Sequence, residues 1–237
     1  MTEQTQIILN HGFNNIDEEN ITNRSQSETP IEQYNLQVKE LFGYAFEQIE
    51  YYTQMLIKEG QIRGLIGPKE LSRIWSRHIV NCAALSQYLP KHGTVADIGS
   101  GAGLPGIVIA IMKPELDIYL VETMQRRVEW LHYCVQELGL DNVTILHNRA
   151  EELHKKIKFD CVTARAVGAT EKLAKWTAPL LKPGGKMLLL KGEKALDELE
   201  KAKYVLKKLK LQNSKIHKVK SVMNDEQTTV VEITKIK

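Results

Sequence analysis

Polar and apolar positions along this chain fall into three regimes, and the changes between them predict its organisation. Residues 1–30 are rich in Asn, Gln, Thr and Glu and carry no sustained apolar period, the pattern of a mobile N-terminal tail. From Ile31 the period becomes helical. Val38, Leu41, Phe42, Ala45, Ile49, Tyr52 and Leu56 line one face, and Gly60 is a natural stop. A second amphipathic run carries Leu71, Ile74, Trp75, Ile79, Cys82, Leu85 and Leu89 and ends at Pro90, with residues 62–68 as a loop or partly extended link. Residues 31–92 thus predict a small helical cap.

Beyond Gly93 the pattern alternates between strand and helix through residues 93–237. Strands are expected at 94–98, 117–121, 143–147, 159–163 and 186–190, and helices at 104–112, 124–138, 169–181 and 194–209. Such alternation specifies an α/β fold on a parallel sheet covered on both faces. Two last β-rich runs, 215–222 and 227–236 around Asn224-Asp225, read as an antiparallel hairpin at the sheet edge. The expected sheet is mostly parallel and seven-stranded, with an antiparallel edge strand.

The first strand runs into Asp97-Ile98-Gly99-Ser100-Gly101-Ala102-Gly103-Leu104-Pro105-Gly106, and then a helix. Glycines at 99, 101, 103 and 106 allow left-handed backbone and let a ligand approach the chain closely. The spacing Gly101-x-Gly103-x-x-Gly106 also matches the dinucleotide fingerprint. Asp97, placed just before the first glycine, would repel a pyrophosphate yet attract a cationic ligand, through water or a hydrogen bond. With the later helix-ending turn Lys182-Pro183-Gly184-Gly185, the combination suits S-adenosylmethionine, whose sulfonium and ammonium are positive and which carries no phosphate.

In open α/β sheets ligands bind at the carboxyl ends of the strands, so the candidate groups are those that each strand end presents. The second strand ends in Glu122, about 20 residues past the turn, where an acid can accept ribose hydroxyls. A helix N-terminal acid favoured by the dipole is the other reading. After the third come Asn148, Arg149, Ala150, Glu151 and Glu152: an amide and an acid for an adenine edge, and a cation for the acids or a substrate. The fourth ends in Arg165, costly to place at an apolar strand end without an anion. Its partner could be a cofactor carboxylate, a phosphate, Asp97 or Glu122. The fifth ends in Lys191, a further cation on the same rim.

Composition adds little to this until it is resolved along the chain. The 32 basic and 29 acidic residues leave only +3, no signature of bulk nucleic-acid binding. Yet residues 1–50 hold nine acids against two cations, while 201–220 hold eight lysines and no acid, either a phosphate-tracking surface or a solvated helix face. Cys82, Cys134 and Cys161 are scattered among apolar neighbours and read as reduced core thiols. The seven histidines lack ligand spacing, so no metal is expected. With neither a secretory signal nor a bilayer-length apolar run, a cytoplasmic protein without membrane contact is expected.

Five segments together carry a more specific resemblance: Asp97 to Gly106, Arg126-Arg127-Val128-Glu129-Trp130-Leu131, Asn148 to Glu152, Ala164-Arg165-Ala166 and Leu190-Lys191-Gly192. From about Tyr34 to the C-terminus the chain resembles the RsmG (GidB) family, bacterial S-adenosylmethionine-dependent methyltransferases acting on N7 of one guanine in the decoding-region loop of 16S ribosomal RNA. Arg77-His78-Ile79-Val80-Asn81 extends the likeness into the cap. Where the family commonly has Trp-Asn and Asn-Leu-Thr, this chain has Glu59-Gly60 and Gly64-Leu65-Ile66.

The resemblance implies a class I methyltransferase fold, Rossmann-like, with Gly99, Leu104, Ala150, Glu151 and Arg165 lining the cofactor site. The residue-level reading adds Asp97, Gly101, Gly103 and Glu122 to the cofactor set, and Arg149 and Lys191 as substrate contacts. No general base is expected, because guanine N7 carries a lone pair and no proton. Arg165, Lys191 and His78 are the candidates nearest the chemistry. The expected partner is 16S rRNA, in a small ribosomal subunit or its precursor, with the protein a monomer. A methyltransferase of small molecules or proteins, and a non-catalytic assembly factor that binds the cofactor, are the alternative readings.

Overall fold

A computed structural model describes residues 30–237; the tail expected over residues 1–30 therefore lies outside the described residues, Pro30 excepted. The first cap run forms helix α1 (Leu36–Phe42), one 3-10 turn, and helix α2 (Phe46–Glu59). The side chain of Asn35 accepts from Val38 N at the start of α1, and Gly43, at φ 51, makes the break between them.

The second cap run departs from the regular helix its period predicts. It is a 3-10 turn (Pro68–Arg73), a π-helical segment (Ile74–Val80) and the short α3 (Asn81–Ala83). Six of the seven π-segment residues are buried, so no solvent stripe enforces a 3.6-residue period. The carboxylate of Glu32 also accepts from Trp75 N (2.8 Å) and Ser76 N (2.9 Å), satisfying donors at the start of this wide coil from outside it.

The remaining elements follow the expected alternation: β1 (Gly93–Ile98), α4 (Gly106–Met112), β2 (Leu116–Glu122), α5 (Gln125–Leu138), β3 (Val143–His147), β4 (Phe159–Arg165), α6 (Thr170–Thr177), β5 (Leu181–Lys191), α7 (Ala195–Lys208), β6 (Leu211–Lys220) and β7 (Gln227–Lys235). The sheet order is β3-β2-β1-β4-β5-β7-β6, with β7 alone running against its neighbours. The C-terminal hairpin lies at the edge as expected, with reversed β7 seated against β5 and β6 outermost. Strand β5 begins well before its predicted start, because Leu181 already pairs with Phe159 across an irregularity at the Pro183-Gly184-Gly185 turn.

Side-chain alternation divides the interior in two. Val95, Leu116, Ile118, Leu120, Cys161, Leu188 and Leu190 pack against the cap, α4 and α5 as one core. Ala96, Ile98, Val162, Ala164, Met187 and Leu189 pack against α6 and α7 as the other. The same alternation puts Asp97, Thr163 and Arg165 on the cap face, at the end where strand order reverses between β1 and β4. All three cysteines are buried, as expected of core thiols, and burial pushes the Cys82 thiol up to about 12. Among the described residues no helix is long and apolar enough to cross a membrane.

Candidate active site

The glycine turn has a structural half and an open half. A Cβ on Gly106 would overlap Leu120 Cδ2 and Asp97 Oδ2, and one on Gly103 would press on Ile107 and the Tyr52 hydroxyl. Those two glycines serve close packing, and Leu104 between them is buried in the cap-side core. Gly101, at φ 56, faces open space: a Cβ placed on it would meet nothing nearer than Gly99 O at 3.8 Å. The loop is clamped at Ala102, whose carbonyl accepts from Tyr52 Oη of the cap and Trp130 Nε1 of α5, both at 2.8 Å.

Asp97 is almost wholly buried and divides its carboxylate between two tasks. Oδ2 accepts from Gly106 N at 3.0 Å and so caps α4, a role the sequence did not reveal. Oδ1 is buried and unpartnered. Burial pushes this carboxyl up to about 7, with the Gly106 N–H and the charge of Arg165 opposing. Among the described residues two further buried side-chain atoms lack partners, Thr163 Oγ1 and Arg127 Nε. Thr163 is the register partner of Asp97, and Arg127 Nη1 lies 3.7 Å from Glu122. Unpaired buried polar atoms are costly, and Asp97 and Thr163 sit side by side at the ends of β1 and β4.

A cavity of about 270 Å³ opens at the ends of β1, β2 and β3. It brings together Gly99, Glu122, Ala150, Glu151 and Arg149, with Ile98, Val167 and Trp176 as apolar walls. Glu122 is buried and held by backbone amides: Oε2 accepts from Gly101 N (2.9 Å), and Oε1 from Thr123 N (2.7 Å) and Met124 N (2.9 Å). Oε1 is saturated by its two amides, and the second lone pair of Oε2 remains for a ligand. Glu152, third in the 3-10 turn Ala150–Leu153, is spent reaching back to accept from Arg149 N at 2.8 Å, which leaves Glu151 at the cavity. Arg149, expected beside a substrate with Lys191, instead lies on this smaller cavity.

A larger cleft of about 1010 Å³ lies between the cap, the ends of β4 and β5 and the β6–β7 hairpin. His78, Arg165 and Lys191 all line it, with Arg77 and Asn81 from the cap and Thr228 from β7. The two cavities meet at residues 164–168: Ala164, Arg165, Ala166 and Gly168 line the cleft, Val167 the smaller cavity. Lys191 is committed, its ammonium 2.8 Å from Glu198 and 2.6 Å from Gly168 O. Arg165 meets neither Asp97 nor Glu122, the structural partners considered for it. It donates to Arg77 O (3.3 Å) and His78 Nδ1 (3.0 Å), and among the described residues no carboxylate stands within ion-pair reach. His78 Nε2 in turn lies 2.7 Å from Glu70. Burial first, then the charge of Arg165, hold His78 down at about 4.

These features fit S-adenosylmethionine: a buried carboxylate oxygen without a partner for a cation, an open glycine face, and a largely apolar cavity with Glu122 on its wall. Among the described residues no group of three His, Cys, Asp or Glu side chains could hold a metal ion. Topology and site define the class I S-adenosylmethionine-dependent methyltransferase fold. An S-adenosylmethionine-dependent O-methyltransferase of Thermotoga maritima superimposes with a TM-score of 0.54 at 15% identity, covering 71% of each chain. TYW2 of M. jannaschii, solved in complex with AdoMet, gives 0.53 at 20% identity over 68% of this chain and 76% of that one.

The rRNA small subunit methyltransferase G (GidB) family pattern matches residues 45–229, and the chain belongs to that family. The Ribosomal RNA small subunit methyltransferase G of Beutenbergia cavernae is 47% identical over 195 residues, 82% of this chain and 92% of that protein. Its counterpart in Thermobifida fusca is 45% identical over 196 residues, 83% of each.

Proposed function

We propose that this protein transfers a methyl group from S-adenosylmethionine to N7 of a guanine in the decoding-region loop of 16S rRNA. Family membership and the names of its relatives support the reaction class. The observation that carries the reading is Arg165, which has no carboxylate partner among the described residues, at the segment 164–168 where the smaller cavity adjoins a polar cleft large enough for a nucleotide. In this reading the smaller cavity takes the adenosine, with Glu122 accepting from the ribose and Ala150 and Glu151 on the adenine. Gly99 and Gly101 face the rest of the molecule, and Asp97 Oδ1 receives its ammonium.

The cofactor supplies an electrophilic methyl on a sulfonium. Guanine N7 attacks with an in-plane lone pair and releases no proton, so the chain needs no general base. Its residues act by holding the two molecules in line and excluding water. Arg165 positions an anionic group of cofactor or RNA at the junction. Lys191 anchors residue 168 and, through it, the cleft wall. Residues 31–92 act as a cap over a methyltransferase domain of 93–237, in a cytoplasmic monomer whose substrate is the small subunit or its precursor. Mapping N7-methylguanosine on rRNA from cells with and without this gene tests the reading: the same modification in both overturns it. Tight NADH binding by the purified protein would return the glycine turn to a dehydrogenase.

A further inference from the structure

Arg165 is held in an unusual way, and the atoms dictate how. Its guanidinium can only donate, so His78 Nδ1, 3.0 Å from Nη2, accepts. The ring proton therefore sits on Nε2 and is donated to Glu70 at 2.7 Å. Glu70 comes from the 3-10 turn (Pro68–Arg73), His78 from the π segment (Ile74–Val80), and Arg165 from the end of β4, so the chain Glu70–His78–Arg165 runs from the cap into the site. Other charges near it are Arg77, 3.5 Å from Glu70, and Arg73 beyond. Burial pushes the Glu70 carboxyl up, but the His78 hydrogen bond and these arginines carry it below its ordinary value, so it stays ionised.

We propose that Glu70 and His78 are positioning residues for Arg165: a neutral imidazole fixes the guanidinium at the junction of the two cavities without cancelling its charge. The contrast with Lys191 shows why this matters. Lys191 is fixed by the carboxylate of Glu198, which neutralises it. A carboxylate in place of His78 would order Arg165 equally well and leave no net charge for a ligand. A neutral acceptor orders a long side chain, whose freedom otherwise opposes binding, and preserves the field. The π segment serves this arrangement, because it buries His78 while leaving Arg77 O available to the same guanidinium. This inference rests on the reading of the cleft as the site of methyl transfer.

Two measurements test it. Nitrogen-15 spectra of histidine-labelled protein, with no ligand present, are expected to show one ring, absent in His78→Asn, that keeps an Nε2–H tautomer and stays neutral at pH 5. Protonation of that ring near pH 6.5, or an Nδ1–H tautomer, overturns the proposal whatever the protein methylates. The second measurement is single-turnover transfer to small-subunit particles. His78→Leu should alter the same parameter, kcat or KM, as Arg165→Ala, lowering transfer about tenfold, a loss of one charge-assisted hydrogen bond. His78→Asn, whose side-chain oxygen can replace Nδ1, should recover most of that loss. In an Arg165→Ala background His78→Leu should change nothing further. A tenfold loss that persists without Arg165 sinks the positioning role. If His78→Leu does not fold, Glu70→Gln takes its place in the same cycle with about a threefold expected loss. Absence of transfer by the unaltered protein would count against the function alone, and the spectra would still decide the positioning.

Discussion

The two cavities are built by opposite means. Around the smaller one the backbone does the holding: Glu122 accepts from three main-chain amides, Asp97 from a fourth, and Glu152 from a fifth. Around the larger cleft side chains hold one another: Lys191 on Glu198, Arg73 on Glu226, His78 between Glu70 and Arg165. A carboxylate fixed by amides cannot wander, which suits a small cofactor of constant shape. A cleft lined by paired long side chains can exchange those pairs for phosphates and bases. The smaller cavity is thus preorganised by main-chain amides, and the cleft by pairs of side chains.

The sharpest way to break this comparison is at Gly101. Its open face and positive φ mean that Gly101→Val strains the loop and fills ligand space. Cofactor affinity should then fall at least hundredfold, about 2.7 kcal/mol. Calorimetry on a folded variant that still binds normally would remove the glycine turn from the cofactor site. Next in size is Arg165→Ala, for which kcat/KM on small-subunit particles should drop roughly thirtyfold, about 2 kcal/mol. Rescue at saturating cofactor would mean that the arginine faces the cofactor, and no rescue that it faces RNA. Unchanged turnover at every cofactor concentration would make it structural.

Two buried groups, one on each side, should oppose each other in acid. His78 has its folded value depressed from 6.5 to about 4, so the unfolded chain binds the extra proton and stability is lost as pH falls through that window. Asp97 has its folded value raised from 3.8 to about 7, so the native state binds the proton first and stability is gained as pH falls from 7. Between pH 7 and 5 each effect is on the order of 2 kcal/mol with opposite sign. Urea denaturation should therefore show little net pH dependence for these two together. His78→Gln should make acid relatively stabilising, and Asp97→Asn relatively destabilising; identical slopes in both variants would refute the assignment. The smallest effect is expected for Lys191→Met, which leaves partly buried Glu198 to Thr170 alone and should cost about 1–2 kcal/mol in stability. Transfer should fall only about threefold, through the wall at residue 168. A loss as large as that of Arg165→Ala would make Lys191 a direct contact.

The strands, the α/β class, the terminal hairpin and the glycine turn were legible because each depends on local periodicity or on glycine's backbone freedom. Residues 71–89 were less so. Their apolar spacing is helical, but the coil is π, buried at six of its seven residues and met at its start by Glu32, some forty residues earlier. The candidate residues at strand ends were found by topology alone, and Gly99, Glu122, Ala150 and Glu151 do share a cavity. Gly103 and Leu104 turned out to face the core. That Thr163 Oγ1 and Arg127 Nε are buried without partners was not legible, since an unpartnered atom leaves no trace in sequence.

What the sequence determined by itself is therefore the order of elements and the list of groups available at each strand end, because side-chain period and glycine placement are properties of neighbours along the chain. What only the tertiary structure decided is which of those groups remain free. Lys191 and Arg165 end adjacent strands in the same way, yet Glu198 neutralises one while neutral His78 holds the other. Glu198 lies only seven residues from Lys191 and His78 eighty-seven from Arg165, so which strand-end cation keeps its charge depends on which side chain the fold sets beside it, and that information exists only once the chain has folded.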